Sequence, residues 1–235
     1  MSWNNKDAQN GGVAERGFEI SVSGHSVPGV YWSPDGGGER LVLLGHGGTT
    51  HKKVEYIADM AQRLAAAGIA SLAIDGPGHG DRATTDLSAG TDAFAKAWNS
   101  AGGTSTVIAD WTAALDFIEA EVGARATGWW GLSMGTMMGL PVTASDERIR
   151  VALLGLMGTW GPNAAELREL APSVQCPVRF LVQWDDEIVP RDRCIELFGL
   201  LGTKKKTLHA NPGKHMAVPG FEIAGSVEYL DRHLK

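Results

Sequence analysis

The sequence predicts an α/β domain in which a mostly parallel sheet of about eight strands is covered by helices on both faces. Two observations support this fold class. Short apolar runs recur along the chain, and amphipathic stretches of helical periodicity separate them. Strands that are apolar on both faces are typical of parallel sheets, whose crossovers are usually helices. Because these crossovers bring the loops after the strands to one edge of the sheet, we expect the chemistry directly after the apolar runs.

The elements follow one another in a regular order. An opening hairpin is predicted over 18–23 and 27–33, and further strands over 40–44, 70–74, 126–130, 151–157, 178–184 and 207–209. Helices are predicted over 54–67, 104–122, 133–140, 164–170, 191–201 and 221–234. Pro141 should kink or end the third of these helices near Leu140, because proline lacks the amide proton that a helix uses.

Length and composition limit what the chain can be. The 235 residues fit one domain, so we expect a single domain over 1–235 whose first 17 residues form a polar segment. The net charge of −6 argues against a surface for nucleic acid or an anionic membrane. No run of 18 apolar residues and no leader-like segment occurs, which favours a soluble cytoplasmic protein. Cys176 and Cys194 are expected to be buried thiols rather than a disulfide.

A serine follows the strand predicted over 126–130. It lies in the pentapeptide 131–135, Gly-Leu-Ser-Met-Gly, which leads directly into a predicted helix. A serine on such a sharp strand-to-helix turn has strained backbone angles, and the residues two before and two after it must be small. Glycine meets that need at both positions. Ser133 is therefore predicted to be a nucleophile rather than part of a plain turn.

A serine nucleophile needs a base, and the base needs an orienting group. His215 lies in the loop between the last strand and the last helix, whereas His209 lies inside the strand pattern and is expected to pack there. Three consecutive acids, Asp185, Asp186 and Glu187, follow the strand over 178–184. We favour Asp186 as the orienting carboxylate because residues 188–190 must turn inward to begin the next helix. The other two acids remain alternatives, with a solvated, helix-capping role as their simpler interpretation.

A glycine-rich loop follows the strand over 40–44. Its backbone amides can face an incoming oxygen because no side chain stands in the way. The amides of Gly48 and Met134 are predicted to form an oxyanion hole, with Thr49 as the alternative donor and a candidate pocket residue. His46 is expected to organise this loop. Trp160 either borders the pocket or packs in the core, and the segment 84–103 is long enough to fold over the site as a partial flap.

The order of these motifs resembles the α/β-hydrolase superfamily. The resemblance covers nearly the whole chain from about Phe18, and serine, acid and histidine follow one another in the order that this fold uses. The segment 75–81 is similar to the family's loop after its fourth strand, where Asp75 and His79 would be structural. The connection over 159–176 is too short for a cap domain, so the chain looks like small esterases of the dienelactone-hydrolase-like and serine-aminopeptidase-like kind. Dienelactone hydrolases carry cysteine where this chain has Ser133, which argues against that activity.

The resemblance implies hydrolysis of a small ester through Ser133, His215 and Asp186, by a monomer or homodimer. A shallow, lidless crevice should favour acyl chains of about two to six carbons, since only buried methylenes strengthen binding. No metal or other cofactor is expected, because no cluster with ligand spacing and no phosphate-binding loop occurs. A thioesterase, acyltransferase or aminopeptidase with the same residues is the alternative. A catalytically silent receptor is a separate class, and the filled triad positions argue against it.

Overall fold

The computed structural model describes residues 2–10, 12–35, 37–84 and 90–235. Within them, nine strands form one sheet in the order β1-β2-β3-β5-β4-β6-β7-β8-β9. The strands are β1 (Ser2–Asn10), β2 (Val13–Val22), β3 (His25–Pro34), β4 (Arg40–Gly45), β5 (Ala70–Ile74), β6 (Ala126–Gly131), β7 (Ile149–Gly155), β8 (Val178–Gln183) and β9 (Lys206–Asn211). Strands β1, β2 and β3 are antiparallel, β3 pairs antiparallel with β5, and the remaining pairs are parallel.

Seven helices of the described chain connect or flank these strands. They are α1 (Glu55–Ala66), α2 (Thr91–Ser100), α3 (Gly103–Val122), α4 (Met134–Ser145), α5 (Ala164–Leu170), α6 (Arg191–Leu200) and α7 (Gly220–His233). Buried residues of α1 and α7 pack on one face of the sheet, and those of α3, α4, α5 and α6 pack on the other. The neighbours Trp129 and Trp130 point into these two layers from β6, as expected of a strand. The predicted α/β class is therefore confirmed.

The amino-terminal region differs from the sequence prediction. Residues predicted as a polar segment form β1 and the beginning of β2, so the sheet has nine strands rather than about eight. Strand β1 lies at the edge of the sheet, where a polar sequence is usual because one side of the strand meets solvent. Its Trp3 ring packs against the rings of Phe18, Tyr31 and Phe117. A single aromatic residue in a polar segment is too weak a sequence pattern to predict this strand.

Helix α4 also differs, because it continues through Pro141 to Ser145. The predicted end near Leu140 was wrong, whereas the alternative of a kink there stays a prediction. In a helix, the missing amide of residue 141 would leave the carbonyl of Met137 without its partner. The buried Asn163 side chain donates to that carbonyl oxygen at 3.1 Å, so the acceptor is satisfied from outside the helix. This contact joins residues far apart in the chain.

Two connections bear on access to the carboxyl edge of the parallel strands. Between β7 and β8 the described chain holds α5 and a short 3-10 helix over Ala171–Ser173, and no cap domain. The segment 84–103, expected as a partial flap, contains helix α2, while residues 85–89 of it lie outside the described part. No helix in the described chain combines the length and hydrophobicity that crossing a membrane requires.

Candidate active site

Ser133 lies between β6 and α4 with a strained backbone. Its φ of 57° and ψ of −121° fall in a region that residues with a Cβ rarely adopt, at a cost of about 1–3 kcal/mol. Its amide donates to the carbonyl of Gly155 at 2.9 Å, and its own carbonyl accepts from the amides of Thr136 and Met137. These bonds hold the turn in place, and the half-buried side chain remains accessible.

Thr136 stabilises the same turn, and the sequence analysis did not identify it. Its buried hydroxyl accepts from the Gly155 amide at 2.7 Å. The hydroxyl oxygen also lies 2.7 Å from the Gly155 carbonyl oxygen and 3.0 Å from that of Gly131. Thr136 thus joins the end of β7 to both sides of the serine turn. The only local sequence signal of this role is the presence of a threonine three residues after the serine.

The glycines around Ser133 are required by close packing. A methyl group at Gly135 would clash with the carbonyl oxygen of Gly45 at the end of β4, and one at Gly131 would lie 2.8 Å from the indole nitrogen of Trp129. The Trp129 indole donates instead to the Gly135 carbonyl at 3.1 Å. The prediction that both positions need small residues is therefore explained by contacts with β4 and with the core.

The structure brings Ser133, His215 and Asp186 together from three separate loops. His215 Nε2 lies 3.0 Å from Ser133 Oγ, and His215 Nδ1 lies 2.7 Å from Asp186 Oδ2. The side chains of His215 and Asp186 are 5% and 1% exposed, so water competes little for either bond. The arrangement provides a hydroxyl, a base and an orienting carboxylate in hydrogen-bonded sequence, which is the geometry that activates a serine.

Asp186 is itself held by the backbone. Its Oδ1 accepts from the amides of Ile188 and Val189, both at 2.8 Å, in the turn that leads to α6. The second oxygen is thereby directed at His215. The helix-capping role expected of Asp185 and Glu187 is not observed, since α6 begins after Pro190 with no side-chain cap hydrogen bond.

His209 takes no part in this arrangement. It lies on β9, and its Nδ1 is 3.0 Å from a carboxylate oxygen of Glu222 on α7. The contact links the edge strand to the last helix. It agrees with the expectation that His209 packs within the fold.

The candidate oxyanion donors lie just after two neighbouring strands, β4 and β6. Gly45 and Gly131 are register partners at the ends of β4 and β6, so the loops carrying Gly48 and Met134 start side by side. Neither the Gly48 nor the Met134 amide has a hydrogen-bond partner among the described residues. Met134 is the first residue of α4, where the helix dipole adds positive potential. Both amides are therefore available to an oxygen, and their role as donors stays a prediction.

His46 organises this oxyanion loop, residues 45–50. Its Nε2 accepts from the Gly76 amide at 2.9 Å, so Nδ1 carries the proton and donates to the Gly47 carbonyl at 2.8 Å. Burial lowers the pKa of His46 to about 4, which keeps the ring neutral at ordinary pH. A neutral ring that forms a hydrogen bond at each nitrogen thus links the loops after β4 and β5.

Buried charges fix the same two loops. The amide of Lys52 donates to one oxygen of the fully buried Asp75 at 2.9 Å, and its ammonium group donates to the other at 2.6 Å. The ammonium group also pairs with Asp81. Asp75 thus supports these loops through its bonds to Lys52, and the buried His79 ring packs against those of His46 and Phe94.

The two candidate pocket residues differ in their surroundings. Thr49 is exposed on the oxyanion loop with a positive φ of 61°. Trp160 is partly buried and packs against the same hydrophobic layer as Trp129, which agrees with the packing alternative. A direct role of either residue in substrate binding stays a prediction. Within the described chain, no group of three or more His, Cys, Asp or Glu side chains could hold a metal ion.

Comparisons with known proteins show the family and the fold of this chain. A model described as the alpha/beta hydrolase family matches residues 41–222. The PEG-bound structure of a cold-adapted esterase from an Arctic intertidal metagenomic library is 66% identical over 100% of both chains, with a TM-score of 0.96. The acetyl xylan esterase from Paenibacillus sp. R4 is 18% identical over 99% of this chain and 89% of its own, with a TM-score of 0.78, and supports the fold alone. A search of curated proteins found no match.

The close packing of the serine turn predicts that Gly135→Ala is strongly destabilising. The added methyl group must displace the backbone of β4 or α4, and overpacking of this kind costs about 1–3 kcal/mol or more. We expect Tm to fall by several degrees in a thermal melt. Gly199→Ala is the matched control, because nothing lies within 4 Å of a methyl group at that helical position. Equal Tm values for the two variants would contradict the packing argument.

The buried His46 predicts a loss of stability in acid. Its pKa of about 4 in the folded chain lies below the 6.5 of an unfolded histidine, so the unfolded chain binds the proton first as pH falls. Tm should therefore decrease from about pH 6.5 towards pH 4. His46→Gln, which cannot titrate and can still accept from Gly76, should lose less Tm over this range. Parallel melts at a series of pH values test this, and identical acid slopes would refute it.

Proposed function

The chain belongs to the alpha/beta hydrolase family, and on that premise we propose that it is a carboxylesterase acting on small esters of short-chain acids. The observation that carries the proposal is the hydrogen-bonded series from Ser133 through His215 to Asp186. The 66% identical relative described as an esterase supports ester hydrolysis over thioester or amide hydrolysis by the same residues. The filled and bonded triad supports turnover over silent binding.

In the proposed reaction, Ser133 Oγ attacks the ester carbonyl while His215 Nε2 accepts its proton. Asp186 accepts a hydrogen bond from the Nδ1–H group of the same ring and stabilises the imidazolium that forms. The amides of Gly48 and Met134 donate to the oxyanion of the tetrahedral intermediate, and His215 then protonates the departing alcohol. Water, deprotonated by His215, attacks the acyl-enzyme, and His215 returns the proton to Ser133 Oγ as the acid is released. Loss of one oxyanion donor typically lowers such rates about 10²- to 10³-fold.

The preference for a short acyl group is supported by Phe94 on α2, which the sequence analysis did not identify. A methyl group at Gly48 would lie 3.3 Å from Phe94 Cε2, so the ring stands beside the oxyanion loop. The ring also contacts those of His79 and Trp98, two buried residues that hold it in place. With no cap domain between β7 and β8, we propose that this wall leaves room for a few carbons only.

The triad predicts that substitutions of two neighbouring acids, Asp185 and Asp186, have very different effects on kcat. Asp186→Asn should lower kcat for a p-nitrophenyl ester about 10³-fold or more. The carboxylate holds the histidine in the required tautomer, and the amide of asparagine does not. Asp185→Asn should keep kcat within about tenfold of the wild-type value. Folded Ser133→Ala gives the baseline and should show no triad-dependent turnover. The proposed acid would be wrong if Asp185→Asn were the crippling change.

The Phe94 wall predicts how activity depends on chain length. Across p-nitrophenyl esters from acetate to palmitate, kcat/KM should be highest at about two to six acyl carbons, since further methylenes gain no buried contact. Phe94→Ala should shift this maximum to longer chains, whereas Phe221→Ala, which removes an exposed aromatic ring from α7, should leave it in place. A wild-type maximum at ten carbons or beyond would rule out the proposed short pocket.

A further inference from the structure

Two loops must stay aligned for the triad to form. The acid loop, residues 184–190, follows β8, and the histidine loop, residues 212–219, lies between β9 and α7. One hydrogen bond joins the His215 ring to Asp186. A ring on a loop also needs its backbone fixed, because a displacement of about 1 Å at a reacting group can cost about 10²-fold in rate.

The residues around Asp186 supply that fixation. The buried Gln183 side chain donates to the carbonyls of Lys214 and Ala217, at 3.1 and 2.9 Å. Asp185 and Gly213 bond reciprocally: the Asp185 amide donates to the Gly213 carbonyl at 3.1 Å, and Asp185 Oδ2 accepts from the Gly213 amide at 3.2 Å. The histidine loop is therefore bonded through its backbone on both sides of His215.

Glu187 adds a further hydrogen bond to the backbone of the histidine loop, at His215 itself. Its Oε2 accepts from the backbone amide of His215 at 3.0 Å. This bond is the main reason why the pKa of Glu187 lies below its usual value, so the carboxylate is ionised at neutral pH. Glu187 is otherwise exposed, and no core packing explains its position. The two neighbouring acids thus bind the same histidine, Asp186 at the ring and Glu187 at the backbone.

We infer that Glu187 is a positioning residue for the proposed esterase reaction, fixing the backbone of His215 so that the ring stays in line with Ser133 and Asp186. The inference rests on the proposed function, since it concerns the same site. Glu187 touches no reacting atom in this role. Its effect should therefore appear in kcat, which depends on histidine alignment, and leave KM nearly unchanged.

The alternative is that the charge of Glu187, rather than its hydrogen bond, acts on the imidazolium. Glutamine separates the two, because its side-chain carbonyl can accept from the His215 amide without a negative charge. Asp192 supplies the matched control for removal of an acid, since it lies on α6 with a side chain that is 77% exposed. Loss of this charge leaves the bonds of the histidine loop intact.

The experiment measures kcat and KM for p-nitrophenyl acetate, with Tm, in wild type, Glu187→Ala, Glu187→Gln and Asp192→Ala. We expect kcat to fall about tenfold in Glu187→Ala with KM within about twofold, and Glu187→Gln to recover most of the loss. Asp192→Ala should match wild type. Glu187→Asp, whose shorter chain withdraws the acceptor, is a second variant and should be slower than Glu187→Gln.

If the wild-type enzyme is active, three results would overturn the inference. These are an unchanged kcat in Glu187→Ala, a change confined to KM, and a Glu187→Gln variant as slow as Glu187→Ala. An inactive wild-type protein that also fails to react with a fluorophosphonate would overturn the proposed function itself, and this inference with it. The wild-type measurement therefore distinguishes the two failures.

Discussion

The close approach of the serine turn to strand β4 is the constraint on which the site depends. Gly135 lies against the Gly45 carbonyl with no room for a methyl group, so α4 begins directly beneath the sheet edge and Ser133 must take a strained conformation. The bonds of Thr136 to β7 and the Trp129 contact to the Gly135 carbonyl offset that strain. The hydroxyl consequently projects from the turn while its backbone remains fixed.

The sheet then brings the other groups to this hydroxyl. Strand β4 pairs with β6, which places the oxyanion loop beside the serine turn, while β8 and β9 pair along their length and deliver the acid and histidine loops together. Buried polar contacts secure these loops, as the bonds of His46 to Gly76 and of Lys52 to Asp75 show for the loops after β4 and β5. The site is thus assembled by contacts between loops that are adjacent in the sheet and distant in the chain.

The sequence predicts those features whose signal is local. Apolar runs, helical periodicity and paired glycines identify most strands and helices, and they place Ser133, Asp186 and His215 in loops at one sheet edge. Features that depend on distant partners were missed. Helix α4 passes Pro141 because Asn163 satisfies the freed carbonyl, and β1 forms because Trp3 finds aromatic neighbours on other elements. The parts played by Phe94 and Glu187 likewise become visible only once α2 and the histidine loop are in place.

We propose that Ser133 is a nucleophile activated by the folded triad. Reaction with a fluorophosphonate, followed by intact-mass measurement and peptide mapping, tests it most directly. A single adduct is expected on the peptide that contains Ser133, formed by the folded protein and absent after acid denaturation or in Ser133→Ala. An adduct on another residue, or a folded wild-type protein that does not react, would contradict it.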